Sequence, residues 1–221
     1  IGEPALDWLN EIKEATGLPV AVEVANKAHV QLALKHGVDI LWIGARTTVS
    51  PFAVQEIAEA LHGNKDITVL VKNPMTPDTG LWAGAVNRLL NEGIPEENIG
   101  LIHRGFAYFG DSKYRNPPMW HMIFEMRSRF PNMMMICDPS HICGCRPLLQ
   151  GIAQQAADLC FDGMMIESHI QPDTAWSDAA QQVTPQDCIT MIDNIMWRAK
   201  SADDPEFNDE LNICRRQIDQ I

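Results

Sequence analysis

The feature that most constrains the fold is an alternation of short apolar runs with longer amphipathic segments. Six runs have the continuous hydrophobicity of strands buried on both faces, and they span 20–24, 40–43, 68–71, 99–102, 133–137 and 164–166. Segments with helical period follow each run, at 26–36, 51–61, 82–91, 118–129, 146–159 and 185–198, and one more, 5–16, precedes the first. This order predicts the α/β class, with βαβ units around a parallel sheet.

Composition narrows the classes of function. The 221 residues include 17 Lys+Arg and 29 Asp+Glu, and the resulting net charge of −12 would repel a nucleic-acid backbone. No apolar run approaches the ~20 residues that cross a bilayer, and the six dispersed cysteines do not form a secreted disulfide framework. We therefore predict a cytoplasmic protein with reduced cysteines and with neither a nucleic-acid nor a membrane partner.

Three cationic residues follow different predicted strands directly. Arg46, Lys72 and Arg104 each stand at or just past a strand end, and in parallel α/β folds these ends converge on the functional site. Arginine offers a planar fork for phosphate or carboxylate, and lysine offers a point charge that also moves protons. The pattern predicts a site for an anion with several oxygens. The alternative for each cation alone is a pair with an acidic helix terminus.

Imidazole and carboxylate groups follow the last two predicted strands. This set consists of Asp138, His141, Glu167, His169 and Asp178. Mixed nitrogen and oxygen ligands suit divalent metals of the Mn, Fe and Zn range, although a single histidine after serine is more often a hydrogen-bonded loop residue. A structural zinc site at Cys143 and Cys145 is disfavoured, because no second Cys/His pair follows at usable spacing.

Five ordered motifs carry a resemblance to a known family. They are Gly44-Ala45-Arg46-Thr47-Thr48, Leu70-Val71-Lys72-Asn73, His103-Arg104-Gly105, Asp138-Pro139-Ser140-His141, and a long motif that runs from Asp162 through Glu167 and Asp178 to Pro185. From about residue 5 to 200 the sequence resembles the 3-deoxy-D-arabino-heptulosonate 7-phosphate (DAHP) synthases of class I. The resemblance implies a (β/α)₈ TIM barrel that condenses phosphoenolpyruvate with erythrose 4-phosphate and releases phosphate, the first step of the shikimate pathway to aromatic amino acids.

The resemblance also implies roles for the residues at the strand ends. Arg46 and Arg104 hold the phosphate of phosphoenolpyruvate, and Lys72 holds its carboxylate side and is placed for proton transfer. Thr47 and Asn73 are assigned to the same substrate site.

The remaining implied roles concern a metal and the second substrate. His141, Glu167 and Asp178 are implied ligands of a divalent cation of the Mn, Fe, Co or Zn class. Asp138, counted with Lys72 and His141 among the catalytic residues, would position the aldose hydroxyls or a water. The implied assembly is a homo-oligomer.

Two family motifs are absent from this sequence. A G-P-C-S motif, which supplies a cysteine metal ligand, and a K-P-R-T/S-x-P loop are not found, and Cys137 and Cys143 lie in other contexts. We therefore expect residues 1–200 to be a barrel domain without its first two βα units. His103 also stands where many relatives have glutamate before Arg-Gly.

The C-terminal segment differs from the rest of the chain in composition and in hydrophobic pattern. Residues 201–210 are acidic, carry a proline and read as a linker, and residues 211–221 begin a new amphipathic helix of an all-α domain. Its end, from Cys214 to Ile221, resembles the opening of a helical chorismate mutase domain. Fused behind the barrel, that domain would add a second, isomerase activity and a route to oligomers.

Two alternative functions remain open. The 3-deoxy-D-manno-octulosonate 8-phosphate synthases share the barrel, the phosphoenolpyruvate chemistry and the last metal motif, although Gly44-Ala45-Arg46-Thr47-Thr48 and Asp138-Pro139-Ser140-His141 favour the heptulosonate enzyme. The second alternative is a non-catalytic barrel fragment that supports a fused chorismate mutase, which the two absent motifs would explain.

Overall fold

A computed structural model describes residues 2–198 together with Asp209 and Ile213. The predicted linker 201–210 and the helix predicted over 211–221 lie outside the described residues, apart from those two positions. None of the helices in the described part of the chain is long and apolar enough to cross a membrane.

Six parallel strands form one sheet in the order in which they occur along the chain. They are β1 (Ala21–Val24), β2 (Ile40–Ile43), β3 (Thr68–Lys72), β4 (Ile99–His103), β5 (Met134–Cys137) and β6 (Gly163–Met164). Within the described residues β1 and β6 do not pair with each other, so the sheet is open between them. All six predicted strands are confirmed, and the architecture is that of a partial TIM barrel.

Nine α-helices occur among the described residues. They are α1 (Glu3–Thr16), α2 (Lys27–Lys35), α3 (Ala45–Thr48), α4 (Pro51–Ala60), α5 (Thr79–Asn91), α6 (Trp120–Arg129), α7 (Pro139–Cys143), α8 (Leu149–Asp158) and α9 (Pro185–Asp193). Side-chain caps begin several of them: Ser50 accepts from the Ala53 N–H, and Thr184 accepts from that of Asp187. Each of these two caps precedes a proline at the first helical position, where a missing N–H costs nothing.

Several predicted boundaries are wrong. β6 ends at Met164 rather than 166, because it is an edge strand that pairs only with β5. The helix predicted over 146–159 begins with a 3₁₀ turn, Arg146–Leu148, and that over 185–198 ends at Asp193. The short helices α3 and α7 were not predicted, because four or five residues show no period.

The two faces of the sheet have different roles. One face packs its aliphatic residues, among them Leu41, Val69 and Leu101, into the main core with the surrounding helices. On the other face, adjacent strands align Trp42, Leu70 and Gly100 in register. Because side chains alternate along a strand, the residues that follow on this second face reach a cavity at the carboxyl ends of the strands.

Candidate active site

A polar cavity of about 330 Å³ lies at the carboxyl edge of the sheet. The lining includes six of the residues that the sequence singled out, namely Arg46, Lys72, Arg104, His141, Glu167 and Asp178. They come from the ends of β2, β3, β4, β5 and β6 and from the segment after β6. The structure therefore brings the predicted anion site and the predicted metal site together around one space.

Lys72 forms the floor of the cationic side. Its side chain is 5% exposed, and Nζ lies 2.8 Å from Oδ2 of the fully buried Asp138. The ammonium also lies 4.5 Å from the centre of the Trp42 ring, a cation–π distance. Burial opposes ionisation of Asp138, but its contacts with His141 and the charge on Lys72 hold the pKa of the carboxyl at about 2. Lys72 is thus fixed as half of a buried ion pair.

The two arginines have no such partner. Arg104 is 6% exposed, and its Nη1 has no hydrogen-bond acceptor among the described residues. Burial lowers the pKa of this guanidinium, and the positive charges of Arg115 and Arg46 oppose the compensating charge of Asp138. Arg46 is exposed at the mouth of the cavity, on α3. A buried donor without an acceptor is costly, so this side of the cavity suits an anion.

The opposite side carries an imidazole and two carboxylates. His141, Glu167 and Asp178 each offer one ligand atom, and these atoms lie within 4.8 Å of one another. Asp138 positions the imidazole: it caps α7 by accepting from the His141 N–H at 3.0 Å, and its Oδ2 lies 2.9 Å from His141 Nδ1. One nitrogen and two oxygen ligands fit a divalent transition metal, with positions left open for water or substrate.

The two carboxylates are already engaged with other side chains. Arg115 Nη1 donates to Asp178 Oδ1 at 2.6 Å, and Gln181 Nε2 donates to Glu167 Oε2 at 2.7 Å. The hydrogen bond from Arg115 lowers the pKa of Asp178. Asp178 also has a left-handed backbone, with φ of 52°, a conformation that non-glycine residues seldom adopt.

Four predicted residues do not line the cavity. Asn73 is buried and ties strand ends together, accepting from the Arg104 N–H and donating to the Gly105 carbonyl. Thr47 is half-buried on α3 away from the lining. Asp138 lies beneath Lys72 and His141, and His169 accepts from the Gln171 N–H within its own turn. Among the described residues, Thr47 and Asn73 thus do not meet the cationic side chains in this cavity and His169 does not join the candidate metal cluster, so their assignments stay predictions. Asp138 contacts Lys72 and His141 from below.

His103 points away from the cavity. It is completely buried, and its ring packs against Trp120 and Phe106 at centroid distances of 5.2 and 5.7 Å. Burial lowers the pKa of this imidazole to about 3. Its neighbour Arg104 faces the cavity, as alternation along the chain requires. The unusual histidine is thus part of the packing behind the sheet.

Sequence reasoning missed several lining residues. Glu23 and Trp42 belong to β1 and β2 and reach the cavity from the same face of the sheet. Strand alternation was the signal that could have found them. Arg115 and Asn116 come from the irregular segment between β4 and α6. That segment has no period, so nothing in its pattern marked them.

Fold and site together define a partial TIM barrel whose cavity, at the carboxyl ends of the strands, is lined by cationic side chains and by a candidate metal-binding cluster. The family model of the DAHP synthetase I family matches residues 1–203, and the chain belongs to that family. Comparison with curated proteins gave no match.

Two solved structures are similar in fold. One is phospho-2-dehydro-3-deoxyheptonate aldolase (DAHP synthase) from Thermotoga maritima, with a TM-score of 0.77 at 22% identity over 87% of this chain and 54% of that one. The other is a truncated form of 3-deoxy-D-arabino-heptulosonate 7-phosphate synthase from the same organism, with a TM-score of 0.76 at 22% identity over 87% of this chain and 70% of that one. The chain thus spans about half the length of the first.

Proposed function

We propose that the protein is a DAHP synthase, a transferase that condenses phosphoenolpyruvate with erythrose 4-phosphate to give 3-deoxy-D-arabino-heptulosonate 7-phosphate and phosphate. The observation that carries this proposal is the meeting of two sets of side chains around one cavity. Unpaired arginines and Lys72 form one side, and His141, Glu167 and Asp178 form the other. Membership of the DAHP synthetase I family supports the same reaction.

The cationic side binds phosphoenolpyruvate. Arg104 offers buried N–H donors without an acceptor, and Arg46 adds a second guanidinium at the mouth. Together they hold the phosphate, and they stabilise the negative charge on it when it departs. Because Arg104 is rigidly buried, binding costs little side-chain entropy there.

Lys72 orients the carboxylate side of phosphoenolpyruvate and moves a proton at Nζ. Asp138 keeps the ammonium in place from below, at 2.8 Å. The same carboxylate lies 2.9 Å from His141 Nδ1. A single buried acid thus fixes one group on each side of the cavity, which preserves their relative position during the reaction.

His141, Glu167 and Asp178 would hold a divalent cation of the Mn, Fe, Co or Zn class. Such an ion, when bound, polarises the aldehyde oxygen of erythrose 4-phosphate as a Lewis acid. Arg115 orients one carboxylate of this set and Gln181 the other.

The domain arrangement forms a second part of the proposal. Residues 1–200 form most of a barrel that two further βα units complete, residues 201–210 form a linker, and residues 211–221 open a chorismate mutase domain through which a homo-oligomer assembles. The open sheet between β1 and β6 supports the first statement. We also propose that the protein is cytoplasmic.

The aldose substrate distinguishes the heptulosonate reaction from the octulosonate reaction. The intact protein is incubated with phosphoenolpyruvate, Mn²⁺ and either erythrose 4-phosphate or arabinose 5-phosphate, and released phosphate is measured. We expect turnover with erythrose 4-phosphate only, abolished by a chelator and restored by Mn²⁺. Turnover with arabinose 5-phosphate alone would establish the octulosonate reaction. Absence of turnover with both, while chorismate is isomerised, would establish the non-catalytic alternative.

A further inference from the structure

The two acidic residues of the candidate metal site are joined by a chain of side-chain hydrogen bonds. Gln181 Nε2 donates to Glu167 Oε2 at 2.7 Å, and Gln181 Oε1 accepts from Arg115 Nη1 at 3.0 Å. The same Arg115 nitrogen donates to Asp178 Oδ1 at 2.6 Å. Gln181 and Arg115 therefore connect Glu167 to Asp178, and of these two connecting residues Arg115 also lines the cavity.

The chemistry of the partners fixes the orientation of Gln181. A carboxylate only accepts and a guanidinium only donates, so the amide nitrogen must face Glu167 and the amide oxygen must face Arg115. Gln181 is 1% exposed, so water does not replace either partner. A buried amide with both ends satisfied is a rigid spacer.

These hydrogen bonds select the oxygen atoms that remain free. Glu167 uses Oε2 and Asp178 uses Oδ1 in the chain of bonds. Oε1 of Glu167 accepts no hydrogen bond from the described residues and lies 3.7 Å from His141 Nε2. In each carboxylate one oxygen is thus fixed in place by this chain of bonds, and the other oxygen remains available to a shared cation.

The segment that carries Arg115 is itself attached to the metal side. The Asn116 N–H donates to the Ile142 carbonyl at 3.1 Å, and Asn116 Nδ2 donates to the His141 carbonyl at 2.7 Å. Gly144 has φ of 68°, and a Cβ there would lie 2.6 Å from Cβ of Arg115. Only glycine allows Arg115 to approach α7 this closely. All three candidate ligands are therefore held by one packed unit.

We propose that Gln181 is a positioning residue of the metal site, which holds Glu167 directly and Asp178 through Arg115. This inference rests on the proposed function, because it assumes that His141, Glu167 and Asp178 bind a divalent cation. Residues that fix metal ligands in this way contribute about 10–100-fold to metal affinity. Gln181 acts on the metal and not on phosphoenolpyruvate, because its chain of bonds includes none of Arg46, Lys72 and Arg104.

The test measures Co²⁺ affinity of the intact protein by visible absorption, with turnover as a second measurement. Gln181→Met keeps the volume but removes both hydrogen bonds, and we expect it to weaken Co²⁺ binding about 10–100-fold. The KM for phosphoenolpyruvate at saturating Co²⁺ should be unchanged. The matched control is Gln182→Met, since Gln182 donates to the Ser177 carbonyl and not to a candidate ligand. That control should bind Co²⁺ like the wild type.

A double-mutant cycle tests whether the chain acts as a unit. If it does, the double variant Gln181→Met/Arg115→Met should bind Co²⁺ only slightly less tightly than whichever single variant has the lower Co²⁺ affinity. Gln181→Asn, which is one methylene too short to reach both partners, should also weaken binding if Gln181→Met does not fold. The inference would be overturned if folded Gln181→Met or folded Gln181→Asn bound Co²⁺ within about twofold of the wild-type affinity. Strictly additive losses of Co²⁺ affinity in the double variant would also overturn it.

Two further arms separate this inference from the proposed function. If the wild type fails to bind Co²⁺, or if His141→Ala binds it equally well, the metal site itself is wrong. If the wild type binds through His141 and Gln181→Met binds with equal affinity, only the role of Gln181 is wrong.

Discussion

The two sides of the cavity handle charge in opposite ways. On the cationic side, Arg104 is buried with an N–H that has no acceptor, and no described carboxylate forms an ion pair with it or with Arg46. On the other side, Asp178 is already paired with Arg115, and Glu167 accepts from Gln181. The arginines of one side thus lack a counter-ion among the described residues, whereas both carboxylates of the other side already accept hydrogen bonds from the protein.

This difference in charge pairing indicates a different source of ligand affinity on each side of the cavity. An unpaired buried guanidinium lowers the stability of the free protein, because its charge is desolvated without compensation. An anion that binds supplies the missing partner, so part of its affinity comes from relief of this penalty. A carboxylate pair that is held in place by hydrogen bonds stores no such cost, and its affinity comes from preorganised geometry. Asp138 touches both sides, since its Oδ2 lies near Lys72 and near His141.

Removal of the imidazole should have the largest effect. We expect His141→Ala to reduce metal-dependent turnover by about 1,000-fold or more, because a Lewis acid contributes several kcal/mol to such a step. Steady-state kinetics at saturating Mn²⁺ measures this. Cys145→Ser is the control, because Cys145 does not line the cavity, and its turnover should match the wild type. The reverse result would refute the metal assignment.

Neutralising the shared acid should reduce stability. Asp138→Asn leaves Lys72 as a buried cation without a counter-ion, and we expect a loss of about 3–5 kcal/mol in the free energy of unfolding at neutral pH. The pKa of Asp138 is about 2 in the folded state and about 3.9 unfolded. Its stabilising contribution is therefore complete above about pH 4 and disappears as the pH falls through about 2.

Denaturant titrations of wild type and Asp138→Asn should accordingly converge over that acidic window. Asp158→Asn is the control, because Asp158 forms an exposed ion pair with Arg198, and its midpoint should not change. Equal stability of Asp138→Asn and wild type at neutral pH would contradict the account.

Removal of the unsatisfied guanidinium should separate binding from stability. Arg104→Met should raise the KM for phosphoenolpyruvate about 10–100-fold, since a charge-assisted contact contributes about 1.5–3 kcal/mol. The same variant should unfold at an equal or higher temperature, because a buried charge without an ion-pair partner is removed. Thermal unfolding without ligand checks the second part. A lower melting temperature would show that Arg104 is satisfied in the free protein.

Near neutral pH, the smallest effect concerns His103, the residue beside Arg104 on the opposite face. The pKa of His103 is about 3 when folded and about 6.5 when unfolded, so the unfolded state binds more protons between these values. Stability should fall as the pH drops below about 6.5, by at most about 1.4 kcal/mol per unit. His103→Phe should remove this slope, and His121→Phe, at an exposed position, should retain it. Identical slopes for His103→Phe and wild type would contradict the prediction.

The sequence predicted the strands well and the cavity only in part. Strands that are buried on both faces have continuous apolar runs, and β2 was predicted with its observed bounds. Arg46, Lys72 and His141 followed from the rule that functional groups collect at strand ends. Asn73 obeyed the same rule but lies buried against the backbone of Arg104 and Gly105, because consecutive residues past a strand point in different directions.

The remaining errors have the same physical origin. Arg115 reaches the metal side only because an irregular segment folds back onto α7, and Gly105 with φ of 73° begins that turn. A local pattern does not encode such long-range contacts. In the sequence, Gln181 is an ordinary polar loop residue, because its two partners lie 14 and 66 positions away.

The most direct test of the account asks whether the two sides serve one cavity. Phosphoenolpyruvate is bound to the intact protein, and its ³¹P resonance is followed as Mn²⁺ is added. We predict strong paramagnetic broadening in the wild type, none in His141→Ala, and none beyond that of free phosphoenolpyruvate in Arg104→Met at a concentration where the wild type is saturated. Phosphoenolpyruvate that binds to the wild type without any Mn²⁺ broadening would place anion and metal in separate sites and contradict the account.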